Sequence, residues 1–247
     1  THNRLGWFYL QQGRYQEAID AYTQVIFLAP NNPWGFSNRG SARFGAGDFS
    51  GAIEDWRQAG DIDPESGSLS NMGTAYFYLR EFAEAVRMYH MALDNSPTNY
   101  QLWINLGDAL RYHASEDAAD EDGGSSRTSA SGAYRQAVRH IRDELTVNPN
   151  NALAVSAEAR VQAFFGERAR AEQLLGRALQ APDNNPDLYY NVSLAYLSLE
   201  MIEQAANSLS KALDVGLPLI VAQNDPLFDL LRESNALGGR LISQLSD

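Results

Sequence analysis

The chain has 247 residues, 44% of them hydrophobic, which is enough to bury a core in one large domain or in an elongated array. It holds no cysteine, so disulfides, thiolate metal sites and thiol catalysis are excluded. Its formal net charge of −12 argues against nucleic acid and against an anionic membrane surface, both of which need Lys and Arg to displace counterions.

The first stretch, about residues 1–32, reads as two short helices. "RLGWFYLQQG" is followed by "GRYQEAIDAYTQVIFLAP", and Pro30 stops the second helix because the residue before a proline disfavours helical geometry. The same pair returns at about 33–65, ending in "GDFSGAIEDWRQAGDIDP" (Gly47–Pro64), and at about 66–98, ending in "REFAEAVRMYHMALDNSP" (Arg80–Pro97). The fourth unit, about 99–150, has "WINLGDALRY" (Trp103–Tyr112) as first helix and "GAYRQAVRHIRDELTVNP" (Gly132–Pro149) as second, separated by an insertion at 113–131. Fifth and sixth units follow at about 151–184 and 185–217. Residues 218–247 carry two further amphipathic segments, about Asp225–Glu233 and Ala236–Leu245, and suit the capping end that an array needs.

One alanine sets the phase: Ala18, Ala52, Ala85, Ala137, Ala171 and Ala205 are spaced by 34, 33, 52, 34 and 34 residues. The long interval contains about 18 inserted residues, and removing them restores 34. Twelve residues before the alanine stands a small residue, Gly6, Gly40, Gly73, Ala159 or Ser193, with Gly107 doing the same in the interrupted unit. A small residue there allows two helices to cross closely. Large residues, Tyr22, Trp56, Tyr89, Ile141, Leu175 and Leu209, recur four after the alanine and are expected to fill space between units. A period near 34 with helical spacing in each half predicts stacked helix hairpins, none of which can bury its apolar face alone.

These residues resemble the tetratricopeptide repeat family over about residues 1–217. The resemblance implies an all-α, right-handed α-solenoid of about six hairpins plus a C-terminal helical cap. The "NDPLFDLLRE" ending is similar to that of repeat regions in bacterial multidomain signalling proteins, among them serine/threonine kinases, nucleotide cyclases and winged-helix regulators. The chain begins at Thr1 without Met and is expected to be a piece of a longer protein, and its lack of cysteine leaves the compartment open between cytoplasm and periplasm.

Catalytic chemistry finds no footing. His2, His90, His113 and His140 have no metal-ligand spacing, so no metal is expected. "GAGDFSG" (Gly45–Gly51) follows a helix rather than a strand and lacks the dinucleotide order, so it reads as a turn. "NVS" (Asn191–Ser193) matches a glycosylation acceptor but lies within a helix. The acidic "SEDAADED" (Ser115–Asp122) lacks the alternation and glycine of a calcium loop and reads as a solvated loop. The chain is expected to be no enzyme and to need no cofactor.

Binding is the remaining expectation. Two residues before the small position stand Arg4, Asn38, Asn71, Asn105, Ala157 and Asn191. A carboxamide carries one acceptor and two donors, so such a row can clamp an extended peptide backbone. It resembles the asparagine ladder of the repeat superhelix in O-linked N-acetylglucosamine transferase, although asparagine at this place in the family also caps neighbouring backbone. One residue after the small position come Trp7, Ser41, Thr74, Asp108, Arg160 and Leu194; a turn further lie Leu10, Phe44, Phe77, Arg111, Ala163 and Leu197. Trp7, Trp34, Tyr78 and Arg111 are the expected anchors beside the asparagines, while Phe44 and Phe77 are expected to fill gaps between units. The positions that grip an acidic C-terminal tail in heat-shock co-chaperones hold Asn3, Trp7, Asn38, Gly67 and Asn71 here, without the lysines and arginines, so such tails are not the expected ligand. The expected function is a non-catalytic module that binds a protein or peptide segment. The alternative is a sensor or regulatory domain of a larger bacterial kinase, cyclase or winged-helix regulator.

Overall fold

A computed structural model of the chain describes residues 2–116, 129–180 and 184–234. Among them there is no strand. Contacts divide the chain into two compact units, 1–95 and 96–247.

Unit 1 contains three hairpins: α1 (His2–Gln11) with α2 (Tyr15–Leu28), α3 (Pro33–Gly45) with α4 (Phe49–Ile62), and α5 (Leu69–Tyr78) with α6 (Phe82–Asn95). Unit 2 contains α7 (Tyr100–Glu116) with α8 (Ala130–Val147), α9 (Ala152–Phe164) with α10 (Arg168–Leu179), and α11 (Pro186–Ser198) with α12 (Ile202–Asp214). It closes with α13 (Leu219–Asn224), a 3-10 turn (Pro226–Phe228) and α14 (Asp229–Glu233). Within each unit the hairpins pack in series, as an α-solenoid requires.

Local chemistry explains the boundaries. Asn32, Asn151 and Asn185 cap first helices by accepting from the backbone N–H of Trp34, Ala154 and Asp187. Second helices α2, α4, α6 and α8 each end two residues before the expected proline. The turn inside five of the hairpins repeats one device: an N–H five residues on returns to a carbonyl near the end of the first helix, as Arg14 does to Tyr9, Asp48 to Arg43, and Glu167 to Gln162. This bend needs a left-handed residue, and Gly13, Gly47 and Gly166 supply it with φ of 68°, 84° and 76°.

The small residues behave as expected and the large ones differently. A Cβ on Gly6, Gly40 or Gly73 would lie within 3 Å of the ring of Tyr22, Trp56 or Tyr89, each on the partner helix of the same hairpin. These rings therefore seat within their own hairpin first; Tyr22 also shares a core cluster with Ala42 of the next. In the fourth hairpin the expected Ile141 is not the residue over Gly107. Tyr134, seven residues earlier on the same helix, fills that place with ring atoms 2.6–2.9 Å from a Cβ at Gly107. The helices of this hairpin also extend into the segment read as an insertion at 113–131: α7 runs to Glu116 and α8 begins at Ala130. Residues 117–128 lie outside the described residues, as does the expected segment Ala236–Leu245.

In unit 2 each core continues into the next. Tyr134, Ala137 and Ile141 of α8 pack with Ala157 and Val161 of α9. Val155 and Ala159 pack with Leu188 and Val192 of α11. Leu194 and Leu209 pack with Ala222, Phe228 and Leu231 of the closing segment. The last two are fully buried, so the segment covers an apolar face that α11 and α12 would otherwise expose. Helix α13 lies ahead of the two segments expected in this region. In the fifth hairpin α9 is buried on nearly every side, which explains why its apolar pattern is indistinct in the sequence.

Candidate functional site

Each unit has a pocket on the face formed by its first helices. In unit 1 a pocket of about 290 Å³ is lined by Ser41, Phe44, Trp56, Asn71, Thr74 and Tyr78. Phe44 stacks on Tyr78 with centroids 5.7 Å apart and meets Phe49 edge-on at 5.2 Å. Trp56 donates from its indole nitrogen to the Ser37 carbonyl at 3.1 Å, and the hydroxyls of Thr74 and Tyr89 lie 3.0 Å apart. Below the pocket, buried Asp55 accepts from Arg39 at 2.7 and 2.8 Å and pairs with Arg43 at 3.1 Å.

The structure brings Asn71 and Tyr78 together at this pocket. Asn38 is half-buried on α3 and Asn71 exposed on α5. Trp7 and Trp34 stand 60% and 62% exposed, too open to be core. Phe77 is buried, as its gap-filling reading requires, while Phe44 keeps part of its ring on the pocket.

In unit 2 a pocket of about 210 Å³ is bounded by α7, α8, α9, α11 and the closing segment. Arg111 lines it, with Phe164, Leu197, Leu227 and Leu230 forming much of the apolar wall. The Arg111 guanidinium lies 5.2 Å from the Tyr112 ring and 5.6 Å from that of Phe164. Burial pulls its pKa down, but the charges of Tyr134, Asp108 and Tyr112 outweigh that and raise it.

A buried polar spine forms part of the pocket wall through Asp108, Tyr134 and Arg160. Tyr134 donates to Asp108 at 2.6 Å, and Arg160 donates to the other oxygen of the same carboxylate. Arg160 also donates to Asn191 at 3.3 Å, and Asn191 in turn donates to Ser156 at 3.3 Å. The Arg160 guanidinium lies over the Tyr190 ring at 5.5 Å, and Tyr190 donates to Asp225 at 2.6 Å. Asp225 accepts from the Leu227 N–H at 2.9 Å. Burial raises the Asp225 carboxyl to about 6, against the lowering pull of Tyr190, Leu227 and Arg160. The pKa of Arg160 is depressed by burial, and the charges of Asp108, Tyr190, Tyr134 and Asp225 together outweigh that and raise it. Tyr134 is held well above its ordinary range, first by burial and then by the Asp108 charge.

Asn191 therefore corrects the expected row of asparagines. It is 8% exposed, and both ends of its carboxamide are engaged inside the spine, so it is not available to a ligand. Its burial in α11 also removes the glycosylation reading. Asn105 is half-buried on α7 and is not among the residues that line this pocket. The sequence reading missed the spine, although its signal was present: Asp108 and Arg160 occupy the same repeat position in successive hairpins with opposite charge.

Models of the tetratricopeptide repeat match residues 1–32, 70–121 and 186–215. The chain carries tetratricopeptide repeats. The repeats are similar to those of the small glutamine-rich tetratricopeptide repeat-containing protein 2 of Mycosarcoma maydis, with 41% identity over 86 residues, 34% of this chain and 24% of that protein. They are similar also to the Hsp70-Hsp90 organizing protein of Triticum aestivum, with 30% identity over 113 residues, 45% of this chain and 19% of that one. The chain spans about a quarter of the length of the first curated relatives it matches. Among solved structures, a tetratricopeptide repeat protein from Parabacteroides merdae superimposes with a TM-score of 0.61 at 19% identity, covering 94% of this chain and 82% of the other. At that identity the likeness speaks for the fold alone.

Proposed function

We propose that the chain is a non-catalytic interaction module whose first-helix face takes an extended segment of a protein partner. The observation that carries this reading is the unit 1 pocket, where exposed Asn71 stands beside the stacked rings of Phe44 and Tyr78. A carboxamide can hold backbone N–H and C=O without reading side chains, and the aromatic wall can take an apolar side chain. The curated relatives, co-chaperone organizers and other repeat proteins, support an adaptor role in kind. Carried over from them, the role here is binding, with no chemistry and no cofactor.

Titration with a library of extended peptides tests the reading. Asn38→Ala with Asn71→Ala is expected to weaken bound peptides by about tenfold, the loss of one or two backbone-directed hydrogen bonds. Unchanged affinity for every bound peptide rules the asparagine clamp out. A regulatory role within a longer signalling protein rests on the resemblance of the "NDPLFDLLRE" ending. In that role, occupancy of the groove would shift an attached output domain, and the domain content of the full-length gene product decides it.

A further inference from the structure

The unit 2 pocket differs from the unit 1 pocket in charge and in closure. The chain as a whole carries −12, yet the cations on this wall, Arg111 and Arg160, outnumber the one carboxylate, Asp108. Asp108 is occupied: Arg160 and Tyr134 hold its two oxygens. Arg160 is buried and fully engaged with Asp108 and Asn191. Arg111 is only half-buried, and among the described residues no carboxylate lies within ion-pair distance of it. Its ring contacts and a hydrogen bond with the Tyr112 hydroxyl hold the guanidinium at the pocket, and the rest of its five N–H donors face an incoming acceptor. Next to it is an apolar wall of Phe164, Leu197, Leu227 and Leu230, the last 51% exposed.

The size of the pocket bears on the occupant. About 210 Å³ lies below the roughly 300–1,000 Å³ of small-molecule sites, so it suits a side chain of a longer ligand. We infer that this pocket reads an internal acidic–apolar segment of a partner protein, with an aliphatic or aromatic side chain against Phe164 and Leu230 and an Asp or Glu carboxylate on Arg111. This rests on the reading of the chain as an interaction module and adds a ligand chemistry to it. Side chains two apart on an extended chain point the same way, so the acidic and apolar residues sit at i and i+2.

The test uses the full chain, isotopically labelled, titrated with acetyl-GSESLSG-amide and followed by NMR. Three control peptides replace the Glu by Gln, replace the Leu by Ser, or place Glu directly before Leu. The parent peptide is expected to shift the Arg111 side-chain N–H and the amides around Phe164 and Leu197. Each control is expected to bind about tenfold more weakly, the loss of one charge-assisted contact or one buried side chain. Arg111→Gln is expected to bring the Glu and Gln peptides to the same affinity. Leu230→Ser, on the half-exposed rim, keeps the fold and is expected to weaken both peptides equally. Equal affinity of the Glu and Gln peptides for the unaltered chain overturns the inference, as does a Glu preference that survives in the Arg111→Gln variant. Benzoate binding as tightly as the peptide also overturns it, by making a free carboxylate the ligand. Peptide shifts confined to Asn71 and Tyr78 sink this inference and leave the interaction module standing, whereas a chain that binds no member of an extended-peptide library loses both.

Discussion

Asp108 and Arg160 show how one repeat position can carry structure in one hairpin and a neighbour's partner in the next. Both side chains are buried, and two ions taken out of water hold only when their remaining donors and acceptors are met. Tyr134, Asn191 and Tyr190 meet them. Asp108→Ala leaves Arg160 buried without its counter-ion and is expected to destabilise unit 2 by about 3–5 kcal/mol in chemical denaturation. Adding Arg160→Met to that variant is expected to recover most of the loss, since an apolar pair of similar volume carries no desolvation cost. Asp225 gives the spine a pH dependence. Its carboxyl lies at about 6 in the fold against 3.8 in the unfolded chain. Between those values the folded state binds a proton that the unfolded state does not. Stability from this group is therefore present below about pH 4, is lost as pH rises to about 6, and is level above. Asp225→Asn keeps an acceptor for Leu227 and removes the titration. Its stability relative to the unaltered chain is expected to rise by on the order of 3 kcal/mol between pH 4 and 7, measured by urea unfolding at each pH.

Among the elements, the bend inside the first three and last two hairpins is the most repetitive and therefore the easiest to test. Gly13, Gly47 and Gly166 hold its left-handed residue, but the third and sixth hairpins put Arg80 and Glu200 there, each with φ of 62°. A side chain in that region costs about 1–2 kcal/mol, which glycine avoids while adding some unfolded-state entropy. Glu200→Gly is accordingly expected to stabilise the protein by roughly 0.5–1 kcal/mol, a rise of about 1–4 °C in Tm by calorimetry. Such positions also show what the sequence could tell. The phase of Ala18 through Ala205, with its glycines and prolines, was enough to place twelve helices, because close crossings and helix stops are local and each repeats. Tyr134 over Gly107 was not legible, since a side chain two turns away can occupy the same gap once Ile141 is too short to do so. Helix α13 was missed because it is six residues long and has no repeat to compare with. Residues chosen by repeat position, Asn71 and Arg111, each line a pocket of their unit. The candidate site was misread at Asn191, because whether an asparagine faces solvent or a buried arginine depends on which residue the preceding hairpin supplies.

At the scale of the whole molecule, stability is a sum over neighbours within each unit, because there each hairpin packs against the next and has too little apolar surface to stand alone. The closing segment is where that sum ends in unit 2. Leu231 and Phe228 are fully buried against α11 and α12, and Arg232 ties the segment together by donating to the carbonyls of Ala222 at 2.6 Å and Asp225 at 2.7 Å. Tyr112 of α7 reaches the same segment, donating to the Pro226 carbonyl at 3.0 Å. Truncating Leu231 opens a cavity at the end of the row, worth about 2–5 kcal/mol for a buried leucine. In a two-state globule that loss would be felt everywhere. In a row of nearest-neighbour contacts it falls first on the hairpin that touches the cavity and weakens with each interface crossed. Leu231→Ala is therefore expected to speed amide hydrogen exchange most in α11 and α12, less in α9 and α10, and to leave α3 and α4 unchanged. Uniform acceleration across all six hairpins would show that the chain unfolds as one cooperative body and would remove the nearest-neighbour account.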